Sequence, residues 1–115
     1  MITQSTRNVP LYPCKIKVII YDKSKELADK YKMADGNECG FFYSYDGYLN
    51  HIIAIKSSSR VKAICHESEH IKNRIFYAIG YDTQQLNDEA DAYLLSWIAG
   101  FVTEIYWKHK KRNKK

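Results

Sequence analysis

The sequence predicts an α+β domain, and three observations support this fold class. A run with β-branched residues at alternate positions begins at Lys15. Two further apolar runs flank Asp46-Gly47, a dipeptide that favours a tight hairpin turn. Two long segments with helical spacing of apolar residues fill the second half of the chain. We therefore expect a small antiparallel or mixed sheet of about three strands, packed on two long helices.

The size and charge of the chain predict one folded domain with a basic end. A length of 115 residues with 45% hydrophobic side chains suits a single globular core. The net charge is +5, but six Lys and Arg side chains lie in the last eight residues, so the remainder is close to neutral. We therefore divide the chain into an arm over 1–13, a domain over 14–107 and a basic tail over 108–115. Such a tail is typical of a solvated segment, with weak contact to nucleic acid or another anionic partner as the alternative.

The cysteines and the apolar runs predict a cytoplasmic protein. Cys14, Cys39 and Cys65 are odd in number and widely spaced, which suits reduced thiols. Residues 1–13 have no apolar core of the kind found in signal peptides. The longest apolar stretch, residues 92–102, is shorter than the roughly 20 residues that span a membrane. No contact with a membrane is expected.

The first elements are predicted from the positions of prolines and from the periodicity of apolar residues. Pro10 and Pro13 break a polar segment, so 1–13 should be irregular. Residues 15–21 should form a strand with three β-branched side chains on one face, Ile16, Val18 and Ile20. A short helix over 25–33 should follow.

The hairpin is predicted from its turn. Residues 40–45 and 48–56 would pair around a two-residue type I′ turn. That turn would place Tyr45 opposite Tyr48 and Phe42 opposite His51.

Two helices should complete the fold. The first runs from about Arg60 to Ala78 and is ended by Gly80. Its predicted buried stripe comprises Val61, Ile64, Cys65, Ser68, Ile71, Ile75 and Ala78. The second runs from Glu89 to about Lys108, capped by Asn87-Asp88, and is apolar almost all round, which favours burial.

The chemistry of the chain is concentrated in the first of these helices. His66 and His70 are four residues apart, so their rings project from one helix face and can hold one ion. Glu67 follows the first histidine, where its carboxylate can reach a water on that ion. Catalytic zinc commonly takes two His and one Glu, and Glu89, near the start of the next helix, is the candidate third ligand.

Each of these residues also has an ordinary structural interpretation. The histidines suit the border of an amphipathic helix, and Glu89 suits the first turn of a helix, where the dipole favours a carboxylate. Asp88 and Asp91 could orient a histidine from behind, although capping explains Asp88 nearly as well. Cys65 points about 100° away from His66, which favours a small buried residue over a ligand.

The segments H66-E67-S68-E69-H70 and N87-D88-E89-A90-D91-A92-Y93 resemble the gluzincin type of zincin metallopeptidase, including short phage-encoded ones. The element order is also similar to a minimal zincin core. The resemblance implies a Zn²⁺ ion held by His66, His70 and Glu89, with Glu67 as the general base. It also implies a peptide or protein substrate, which an edge strand of the hairpin could align. For a phage-encoded protein the location would be the host cytoplasm or the virion.

The chain departs from larger gluzincins in two respects. No residue is singled out to stabilise the oxyanion, and the candidates are Tyr93, Tyr77, Tyr81, Arg74 and His51. We also expect no second, substrate-binding lobe, because the length predicts a single domain. The alternative function is therefore a non-catalytic interaction or virion-associated protein that keeps the zincin fold, with or without bound zinc.

Overall fold

A computed structural model of the chain describes residues 1–32, 40–80 and 89–113. Within these ranges it confirms the α+β class, with a four-stranded mixed sheet and three helices. None of the described helices is long and apolar enough to cross a membrane. The elements in chain order are β1 (Ile2–Asn8), β2 (Lys15–Tyr21), α1 (Ser24–Tyr31), β3 (Gly40–Tyr45), β4 (Asn50–Lys56), α2 (Val61–Ile79) and α3 (Glu89–Asn113).

The sheet is built around two parallel central strands. Its order is β1-β2-β4-β3, and both outer strands run antiparallel to their neighbours. In β2, both Ile19 and Ile20 are fully buried although they face opposite sides of the sheet. The sheet is therefore covered on both faces, as near-continuous apolar strands require.

The helices lie on the two faces of this sheet. On one face α2 and α3 pack together and enclose the main core, in which Ile16, Ile53 and Ile98 are fully buried. On the other face α1 contributes Leu27 to a smaller cluster with Ile19 and Ala54. Helix α2 also packs on β3, which is an edge strand, so one side of α2 lies beside an edge of the sheet.

The prediction of an irregular arm over 1–13 was wrong for residues 2–8, whereas 9–13 form neither a helix nor a strand. Residues 2–8 form strand β1, which pairs with the whole of β2, from Ile2 opposite Tyr21 to Asn8 opposite Lys15. The strand has only one apolar residue, Ile2, so periodicity gave no signal. An edge strand tolerates this composition because half of its side chains face solvent, and threonine suits a pleated surface.

The prediction of a basic tail separate from the domain was wrong for 108–113, although the basic side chains Lys108, Lys111 and Arg112 are exposed as predicted. Helix α3 continues to Asn113, and His109 in its last turns is completely buried. Arg112 Nη1 donates to the Ile2 carbonyl at 3.1 Å and to Thr3 Oγ1 at 2.8 Å. The end of α3 is therefore part of the fold, because two of its polar side chains bind β1. Residues 114–115 of the predicted tail lie outside the described residues.

The predicted hairpin register was wrong by two residues. Tyr45 pairs with Asn50 and Phe42 with Ile53. The loop is longer than predicted because Asp46, Gly47 and Tyr48 all adopt positive φ angles, of 54°, 64° and 67°. Because side chains alternate along a strand, a shift of two residues does not change which side chains of the two strands share a face of the sheet.

Helix α2 ends as predicted, but its buried stripe differs. Gly80 has a φ of 74° and closes the helix through its N–H, which Phe76 and Tyr77 carbonyls accept. Ile64, Ser68, Ile71 and Ile75 are buried as predicted, together with Glu67, Lys72 and Phe76, whereas Val61, Cys65 and Ala78 are exposed. The prediction of a buried Cys65 was therefore wrong, because the residue lies too far round the helix from Ile64.

The two described cysteines should differ sharply in reactivity. Burial raises the pKa of the Cys14 thiol to about 11, whereas Cys65 is exposed. Because the thiolate is the nucleophile, we expect iodoacetamide at pH 8 to alkylate Cys65 in the folded chain and to spare Cys14. Mass spectrometry of a Cys39→Ser variant, before and after denaturation in urea, measures both sites. Equal alkylation of the two thiols in the folded chain would contradict this expectation.

Candidate metal centre

The structure brings the two motif histidines together on the outer side of α2. His66 Nε2 and His70 Nε2 lie 3.2 Å apart, with the ring centroids 4.8 Å apart and the planes at 78°. Two nitrogens bound to one tetrahedral zinc at about 2.0–2.1 Å are separated by roughly 3.3–3.4 Å. The pair therefore has the separation that a shared zinc ion needs. The same distance also suits a hydrogen bond from one ring to the other.

Glu67 lies beside this pair. Only 7% of the residue is exposed, and its Oε1 is 3.9 Å from His66 Nε2, whose side chain is 66% exposed. Its position on α2 therefore holds the carboxylate close to the exposed His66 ring. This arrangement suits a group that acts on a water next to the ion.

Strand β3 supports the second histidine from the side. The Phe42 ring stacks on the His70 ring, with centroids 4.5 Å apart and an interplanar angle of 17°. This stacking restricts the rotation of the imidazole. In the described ranges, β3 pairs only with β4, so its outer edge is not occupied by another strand.

The structure does not bring Glu89 into a three-ligand cluster with the histidines. Glu89 is the first residue of α3 and is exposed. Over 1–32, 40–80 and 89–113 there is no group of three or more His, Cys, Asp or Glu side chains placed to hold a metal ion. The role of Glu89 as the third ligand therefore stays a prediction. Asn87 and Asp88, the predicted cap, lie outside the described residues.

An ion-pair bridge joins α2 to the start of α3. The buried Lys72 ammonium lies 2.7 Å from Asp91 Oδ1 and 2.6 Å from Glu69 Oε1. Burial lowers the pKa of Lys72, but the hydrogen bonds to Asp91 and Glu69 outweigh it and raise the pKa overall. Asp91 thus binds a lysine, and Glu69, whose side chain is 45% exposed, is the second carboxylate of the same bridge. The predicted stripe did not include Lys72, so this bridge was missed in the sequence.

The structure separates the five candidates for an oxyanion-stabilising group. His51 is buried beneath α2, and Tyr81 lies outside the described residues. Tyr77 and Tyr93 are 75% and 57% exposed. Arg74 lies one helical turn after His70, and its Nη1 donates to Tyr48 Oη at 3.0 Å. Of the two candidates on α2, Arg74 is therefore one turn from His70, whereas Tyr77, on the same helix face, is about two turns away.

The fold and the site together define a small α+β protein with a helix-borne pair of facing imidazoles and an adjacent buried carboxylate. Comparisons of the chain with protein-family models, curated proteins and solved structures returned no match.

Proposed function

We propose that the protein is a zinc-dependent hydrolase of the zincin type that cleaves peptide bonds. The observation that carries this proposal is the 3.2 Å separation of His66 Nε2 and His70 Nε2, with Glu67 next to them. His66, His70 and Glu89 would hold the ion. The cytoplasm, of the host if the protein is phage-encoded, is the proposed location.

The chain's own groups have distinct tasks in this proposal. Zinc, when bound, supplies Lewis acidity toward the scissile carbonyl and the hydrolytic water. Glu67 accepts a proton from the attacking water and delivers it to the leaving amine. Phe42 holds the His70 ring in place, and the outer edge of β3 can pair with an extended peptide.

A second candidate is a non-catalytic interaction protein, such as a virion component. Two observations favour it. The described residues hold no three-ligand cluster, and an exposed aromatic pair, Tyr43 and Tyr45, stacks on β3 with centroids 5.9 Å apart. Exposed aromatic side chains are typical of protein interfaces.

Zinc stoichiometry and peptide turnover test the proposal. The purified chain, incubated with zinc and dialysed, should retain about one zinc per chain by elemental mass spectrometry. His66→Ala and His70→Ala should each lose it, whereas Lys62→Ala, an exposed change on the same helix, should not. Cleavage of a quenched peptide library should follow the zinc content.

The outcomes separate the two candidates. Equal zinc in the wild type and in both histidine variants would refute the proposed site. Stoichiometric zinc without cleavage of any peptide would favour the interaction protein. Retention of zinc by Glu89→Ala with unchanged affinity would remove Glu89 from the ligand set.

A further inference from the structure

A groove lies directly beside the candidate metal centre, between β3, the hairpin loop and α2. It is lined by Phe42, Tyr43, Ser44, Tyr48 and Arg74. The Phe42 ring joins the groove to the centre, since it stacks on His70 and also lies 5.5 Å from the Arg74 guanidinium. An extended chain leaving the histidine pair along β3 would therefore enter this groove.

The groove presents a single cation held between aromatic rings. The Arg74 guanidinium lies 5.5 Å from the Phe42 centroid and 5.6 Å from the Tyr48 centroid. It donates to Tyr48 Oη at 3.0 Å, and the Tyr48 ring is in turn packed edge-on against Tyr77. None of the ion pairs in the described part of the chain involves Arg74. The guanidinium is thus positioned by its surroundings, and no carboxylate of residues 1–32, 40–80 or 89–113 neutralises it.

Two hydroxyl groups, of Tyr48 and Ser44, line the groove together with this cation. Because Tyr48 Oη accepts a hydrogen bond from Arg74, its own O–H is available to donate. Ser44 Oγ lies 2.8 Å from Nδ1 of the buried His51. The His51 Nε2 atom is buried and has no hydrogen-bond partner among the described residues, which favours the tautomer with its proton on Nδ1. In that tautomer the His51 N–H faces Ser44 Oγ, with the Tyr48 carbonyl as a further acceptor, and the Ser44 hydroxyl can donate into the groove.

We propose that this groove is a carboxylate-binding subsite, in which Arg74 pairs with an acidic group of an extended peptide next to the metal centre. A guanidinium flanked by hydroxyl donors matches the two oxygens of a carboxylate, and the aromatic walls accommodate the adjoining chain. The carboxylate comes either from an Asp or Glu side chain or from the C-terminus of the peptide. As a substrate subsite, this inference rests on the proposed hydrolase function.

Binding of three matched peptides tests the subsite without turnover. The full chain carrying Glu67→Gln is titrated, with and without zinc, and binding is followed by amide chemical shifts. All three peptides are N-acetylated and share one sequence: an internal Gln with a C-terminal amide, an internal Glu with the amide, and an internal Gln with a free C-terminus. We expect one or both acidic peptides to bind about tenfold or more tightly than the neutral one. The peptide that does so identifies the source of the carboxylate.

Substitutions at Arg74 assign the preference to this residue. Arg74→Gln should abolish it, and Arg74→Lys, which keeps the charge without the planar fork, should keep only part of it. Tyr48→Phe, which removes one hydroxyl and retains the ring, should weaken it severalfold. Lys108→Gln, the same charge change at an exposed site on α3, should leave it unaltered.

The results distinguish this inference from the function on which it rests. Absence of a preference for acidic peptides, or a preference that survives Arg74→Gln, overturns the subsite even if zinc binding and hydrolysis are found. A preference that depends on Arg74 supports the subsite as a carboxylate-binding site. If that preference is found without zinc binding or hydrolysis, the groove binds acidic peptides and the hydrolase proposal alone fails.

Discussion

Replacing Glu67 by glutamine should lower kcat for peptide hydrolysis by about 10²- to 10⁴-fold and leave the zinc content unchanged. The amide has nearly the same shape as the carboxylate, so the packing is kept at this position, where only 7% of the residue is exposed. The amide cannot accept the proton that the carboxylate would take from water. Steady-state kinetics and elemental analysis on the same preparation measure the two quantities.

The second glutamate of the motif provides a matched control. Glu69 is two residues away on the same helix, but its side chain is 45% exposed and pairs with Lys72. Glu69→Gln should therefore change kcat by less than about twofold, because Glu69 is half-exposed and Lys72 keeps Asp91 as its second ion-pair partner. Loss of zinc from Glu67→Gln would show that Glu67 helps to hold the ion, and it would contradict the assignment of Glu67 as the general base. A kcat equal to that of the wild type would refute the catalytic role.

Replacing His109 by alanine should destabilise the fold by about 3–5 kcal/mol. The ring is fully buried at the end of α3, with Nδ1 2.8 Å from Thr3 Oγ1 and Nε2 2.7 Å from Asp22 Oδ1. Its removal leaves a cavity and takes one hydrogen bond each from Thr3 and Asp22, which keep only their bonds to other side chains such as Arg112 and Ser57. Urea unfolding at pH 7, followed by circular dichroism, measures the free energy of unfolding. His66→Ala, at a mostly exposed ring, should change it by less than about 0.5 kcal/mol.

The contact between Asp22 and His109 should also make the free energy of unfolding depend on pH in the acid range. Burial raises the pKa of Asp22, but hydrogen bonds from Ser57 and His109 outweigh it and hold the pKa well below its usual range. A carboxyl with a lower pKa in the folded state contributes stability that is complete above its ordinary pKa, about 3.9, and is lost as pH falls below that value. Asp22→Asn should therefore be less stable at pH 7 and should lose less stability between pH 5 and pH 2. Asp29→Asn, at an exposed position on α1, is the control. An unaltered acid profile in Asp22→Asn would exclude this carboxyl as the source.

Local periodicity was enough to predict the elements that carry the site. Strand β2 and helix α2 lie where β-branched alternation and helical spacing placed them, with Gly80 closing α2. The spacing of His66 and His70 predicted that their rings would meet, and they do. These features depend on residues within a turn or two of each other, so the backbone geometry of a single element decides them.

The tertiary structure decided the features that join distant parts of the chain. Strand β1 forms because β2 provides a hydrogen-bonding edge, although its own residues are almost all polar. His109 and Asp22 meet across 87 residues, and Arg74 and Tyr48 across 26. Apolar periodicity reports only how often a segment faces the core, and it carries no information on which polar groups pair across it. The motif was therefore readable in the sequence, whereas the groove beside it and the buried histidine at the end of α3 required the folded chain.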